Sequence, residues 1–78
     1  MSNIDKTILR MRNNPRDWHI DDLKRIADRY DIDYRQPGTS HVTFSHPNLI
    51  PLSVPADKPI KSVYIREFLR LVDQLEES

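Results

Sequence analysis

This chain has one glycine, Gly38, so a tight reversal needing a positive φ has a single natural home. It follows Pro37, and proline presets φ for the first central position of a turn while glycine accepts the left-handed second position of type II. Beyond it, Val42 and Phe44 alternate with His41, Thr43 and Ser45, the period of a strand with one buried face. The pattern predicts a hairpin whose second strand, residues 41–45, opens on a histidine.

The flanking sequence completes a domain around that hairpin. Residues 4–12 read as a helix, with Ile4, Ile8 and Met11 on one stripe, closed by Asn13-Asn14-Pro15. It reads as an appendage packed on the main domain. A second helix follows Trp18 and Ile20, with Asp21 as its expected N-cap and Leu23, Ile26, Ala27 and Tyr30 as its apolar face. Its other face carries Lys24, Arg25, Asp28 and Arg29, a solvated surface. Residues 32–36 form the hairpin's first strand. After the His46-Pro47-Asn48 turn, residues 49–54 form a third, with Pro51 marking an edge or a bulge. The last helix, residues 62–75, is apolar over a wide face from Val63 to Leu75.

Helix, helix, three strands, helix describes an α+β layer with helices on one face of an antiparallel sheet. Parity assigns the faces. If Val42 and Phe44 point to the helices, so do Ile32, Tyr34, Ile50, Leu52 and Val54, leaving Asp33, Arg35, His41, Thr43, Ser45 and Ser53 on the open side.

Composition narrows the function. Seventy-eight residues make one small domain, able to bury only about 60% of its unfolded surface. Without cysteine there are no disulfides and no thiolate metal sites. No apolar run approaches the roughly 18 residues of a membrane span, so a soluble, intracellular protein is expected. Twelve basic and twelve acidic residues cancel, which argues against a globally basic nucleic-acid binder. Locally, Arg35, Lys58, Lys61, Arg66 and Arg70 outnumber Asp57 and Glu67.

Few chemistries remain. His41 and His46 lie about 16 Å apart along an extended chain and on opposite sides, so they cannot form a dyad on one strand. His19, His41 and His46 lack metal-ligand spacing, and no glycine-rich phosphate loop exists. His41 is left as a lone acid–base group. RNA suits such a group because its 2′-hydroxyl supplies the nucleophile, and one base with nearby cations promotes transesterification without a metal. An inert surface histidine is the plain alternative. His46 is expected to shape its turn and Trp18 to anchor a helix entrance in the core.

The run Gly38-Thr39-Ser40-His41, preceded by a helix and followed by Phe44-Ser45-His46-Pro47, resembles the HicA toxins of bacterial toxin–antitoxin systems. The resemblance spans about residues 18–75, through segments 20–30, 32–36, 38–47, 49–55 and 61–75. It implies an α-β-β-β-α fold like the double-stranded-RNA-binding domain, with residues 1–17 as an N-terminal helical extension and 18–78 as the HicA-like domain. It further implies an mRNA interferase, an endoribonuclease working in the bacterial cytoplasm without a cofactor and neutralised by a HicB antitoxin covering His41. The family histidine corresponds to His41 and its loop to Gly38, Thr39 and Ser40. Thr39 stands where many members have serine or glycine, and the first helix is additional. Arg35, Lys58 and Lys61 are the candidates for phosphate neutralisation. A non-catalytic RNA-binding module of the same fold, or a protein-interaction domain using the sheet face or the Pro51 edge, are the competing readings.

Overall fold

A computed structural model describes residues 3–36, 38 and 40–77. The chain runs α1 (Asn3–Asn13), α2 (Ile20–Arg29), β1 (Asp33–Arg35), β2 (His41–Ser45), β3 (Leu52–Pro55) and α3 (Ser62–Glu77). The strands form an antiparallel sheet in the order β1-β2-β3. The expected α+β architecture is present: α2 lies against β1, α3 against β3, and α1 packs on both helices.

The departures at the start of α2, the start of β1 and in β3 have local hydrogen-bonding causes. The N-cap of α2 is His19 rather than Asp21. Asp22, the third helical residue, reaches back to accept the His19 N–H at 3.0 Å, and its carboxylate also suits the helix N-terminus. At the other end the Ile32 N–H reaches Ala27 O at 2.9 Å, with Asp31 between them in left-handed backbone at φ 58°. That closure is the Schellman arrangement. It ties the Ile32 amide to the helix, so β1 starts at Asp33.

The third strand departs furthest, covering Leu52–Pro55 instead of residues 49–54. His46 takes two backbone donors, the Asn48 N–H on Nδ1 at 3.1 Å and the Leu49 N–H on its carbonyl at 3.0 Å. The chain stays wound through this turn, and Pro51 ahead of β3 has no N–H to pair. Ile50, expected inside, is 84% exposed. His46 shapes the turn as expected.

A Cβ built at Gly38 would meet nothing within 4 Å, so close packing does not require a glycine there. Pro37 and Thr39 lie outside the described residues, and the turn type and the Thr39 hydroxyl with them.

Face assignment by parity holds for the strands. Val42, Phe44 and Val54 are fully buried and Ile32 nearly so, while Tyr34 and Leu52 are half-buried against the same core. The Phe44 ring meets Phe68 edge-on at 5.0 Å between centroids, a favoured aromatic geometry. Ile8 and Met11 of α1 belong to this same cluster. The α1 helix is fastened further by a paired Arg12–Asp73 contact, with Nη1 to Oδ2 at 3.2 Å. Half-buried Trp18 donates its indole N–H to Asn14 O at 2.7 Å, and its carbonyl accepts the Ile60 N–H at 2.9 Å. Among the described residues no helix is long and apolar enough to cross a membrane.

Candidate active site

Among the described residues no helix covers the sheet's second face, and β2 runs through its centre. Since Val42 and Phe44 point inward, His41, Thr43 and Ser45 must point out. Register then sets their neighbours. Arg35 and Ser53 flank Thr43 on either side, Asp33 lies across from Ser45, and Pro55 lies across from His41. Arg35 is thus the diagonal cross-strand neighbour of His41, about 7–8 Å away between backbones, a gap that an arginine side chain spans. Both residues are exposed.

Among the described residues the His41 side chain meets the Ser40 hydroxyl, with Oγ 3.2 Å from Nδ1. Ser40 is itself held, because its carbonyl accepts the Ala56 N–H at 2.8 Å, continuing the β2–β3 ladder one step past Pro55. The imidazole therefore stands at the end of a paired strand rather than on a free loop, with its Nε2 edge directed away from Ser40.

The other candidates divide. Arg35 shares the face with His41. Lys58 lies in a groove of about 390 Å³ between the loop 56–58 and the start of α2, in the company of Asp21, Asp22 and Asp57. Lys58 is exposed there. Lys61 directly precedes α3, and its carbonyl accepts the Tyr64 N–H at 3.1 Å. The first turn of α3 carries no acid, so the charge of Lys61 adds to the positive end of the helix dipole. Trp18 is engaged at both its indole and its carbonyl and braces the α2 entrance, as expected of a core anchor. Among the described residues no three histidine or carboxylate groups cluster to hold a metal.

Sequence reasoning missed the contribution of Pro55 and Ala56. Both read as loop, and their place beside His41 follows only from the β2–β3 register. The strand edges bear on the interaction-domain reading. The Ala56-to-Ser40 bond makes Val42/Val54 and Phe44/Leu52 the hydrogen-bonded pairs, so positions 53 and 55 of β3 face outward. Pro55 has no N–H, and Pro51 precedes the strand, so Ser53 supplies the outward amide. On β1 the outward Tyr34 N–H meets its neighbour's Asp33 Oδ1 at 3.1 Å. Such edges resist an added strand.

Comparison of the chain with protein-family models, curated proteins and solved structures returns no match.

Proposed function

We propose that this chain is a HicA-type toxin of a type II toxin–antitoxin system, a metal-independent mRNA endoribonuclease working through His41 in the bacterial cytoplasm. On this reading its core, from α2 to α3, is the double-stranded-RNA-binding-domain-like α-β-β-β-α unit, and α1 is an addition to it. The observation that carries the reading is the exposure of His41 on a helix-free sheet face, beside Arg35 and anchored through Ser40. An imidazole so placed meets an extended substrate without needing a pocket, and RNA brings its own nucleophile.

The chemistry balances with one histidine. A proton passes from the 2′-hydroxyl to the imidazole, the 2′-oxygen bonds to phosphorus, and the bond to the 5′-oxygen breaks. The departing oxygen takes a proton from the imidazolium or from water. Products are a 2′,3′-cyclic phosphate and a 5′-hydroxyl. Arg35 offsets phosphate charge on the same face, and Lys61 with the α3 N-terminus gives a second attraction that salt screens. A HicB-type antitoxin silences such a site most directly by covering His41.

The test is induced expression of wild type and His41→Ala in a bacterial host, following growth and mRNA integrity, with folding and abundance matched first. Because His41 is exposed, the substitution should change stability by less than about 0.5 kcal/mol. Growth arrest and mRNA loss with wild type alone support the ribonuclease. Equal arrest by both variants removes His41 as the catalyst and favours RNA binding by sequestration. Absence of any effect removes the toxin assignment.

A further inference from the structure

The contact between Ser40 and His41 does more than place a hydroxyl near an imidazole. A neutral imidazole carries one proton, and its two nitrogens then differ: one donates, the other is the base. We propose that Ser40 is a positioning residue that accepts the His41 Nδ1–H, so that Nε2 is the nitrogen that exchanges protons with substrate. This inference rests on the ribonuclease reading for its catalytic consequence, but not for its tautomer.

Three observations converge on it. The Ser40 Oγ is 3.2 Å from Nδ1, whereas Nε2 has no protein partner among the described contacts. The Ser40 backbone is fixed by the 2.8 Å bond from the Ala56 N–H, so its hydroxyl starts from a held main chain. Pro55 lies directly across from His41 in a non-hydrogen-bonded pair, so its backbone polar group faces away from β2 and does not compete for the imidazole or for Ser40. A hydroxyl is also the right group chemically. It accepts from Nδ1–H in the neutral ring, and it continues to accept after Nε2 gains a proton and the ring becomes a cation. One contact thus serves both halves of the proton cycle without rearrangement. Ser40 itself touches no reacting atom.

The test uses the full chain with nitrogen-15-labelled histidine, as wild type, Ser40→Ala and Ser40→Thr. Imidazole nitrogen shifts are read alongside RNA cleavage. The expected result in the neutral ring is a protonated Nδ1 in wild type, a shift of population toward protonated Nε2 in Ser40→Ala, and recovery in Ser40→Thr. Cleavage should follow the same order, with kcat of Ser40→Ala down about 3- to 10-fold, the scale of one net hydrogen bond, and KM little changed. Unchanged nitrogen shifts in Ser40→Ala would overturn the proposal, whatever the activity. If the shifts move as expected but wild type cuts no RNA, the tautomer assignment stands and the ribonuclease reading falls. Failure of Ser40→Thr to restore both readouts also overturns the role of the hydroxyl.

Discussion

The C-terminal end of α3 gathers negative charge where a helix favours it least. Asp73, Glu76 and Glu77 fall in its final turns, and its last turn holds no basic residue. Repulsion with the helix dipole is worth roughly 0.3–1 kcal/mol for each exposed group. Two long-range contacts offset it: Arg12 pairs with Asp73, and the Tyr30 hydroxyl donates to Glu76 Oε1 at 2.5 Å. The Tyr30 contact joins the end of α2 to the end of α3 across the domain. Burial first, then the bond to Glu76, pushes the phenol up from its usual 10.0 to about 12. Phenylalanine at this position keeps the ring and removes the donor.

A two-unit rise held in full would amount to about 2.7 kcal/mol of differential stability. The ring is only half-buried and Glu76 is exposed. Solvent screening therefore reduces the expected effect of Tyr30→Phe to about 1 kcal/mol near neutral pH. The sign with pH follows from the raised folded-state value. Stability from this contact is fully present below the unfolded value of 10.0 and is lost as pH rises through about 12. Urea unfolding of both proteins across alkaline pH reads the difference directly, and subtraction removes the titration of lysines common to both. Wild type should exceed the variant by about 1 kcal/mol up to about pH 9, and the gap should close toward pH 12. Equal midpoints at neutral pH, or a gap that does not narrow in alkali, would refute the reasoning.

Two further outcomes are expected. Phe44→Ala should cost about 3–5 kcal/mol, because the side chain is fully buried against Phe68. A domain of 78 residues holds only about 4–12 kcal/mol in total, so thermal melting should be broadened or lost. Asp31→Gly should stabilise by about 0.5–1 kcal/mol, since it relieves left-handed backbone at φ 58° and removes an anion from a helix C-terminus, against glycine's entropic cost. A lowered melting temperature in Asp31→Gly would contradict that account.

What could be seen in the sequence was whatever periodicity alone decides. The 41–45 strand, its two faces and the long final helix all follow from apolar spacing, and the open side of His41 follows with them. What could not be seen was where backbone amides go at element ends. Ile32 looks like a strand residue by composition, yet its N–H belongs to Ala27. Ile50 fits the alternation, yet His46 holds the preceding amides and Pro51 breaks the approach, so the side chain faces water. Asp21 is a good capping residue, but Asp22 is the one in reach of the His19 amide. The neighbours of His41 were partly hidden for the same reason. Arg35 was legible from parity, whereas Ala56 and Pro55 required the register. Lys58 was legible as a cation, whereas its place in a groove shared with Asp21, Asp22 and Asp57 was not.

These points explain how so small a domain can display an exposed histidine at little cost to its fold. In β2 the work is divided by face: Val42 and Phe44 hold the strand to the helices, while His41 and Thr43 lie on the other side. A slip of one residue would exchange the two sets, burying an imidazole and exposing a phenylalanine. Register is therefore held from within, by the buried pair and by the Ala56-to-Ser40 bond. Gly38 has open space where a side chain would go, so it contributes no close packing to that register.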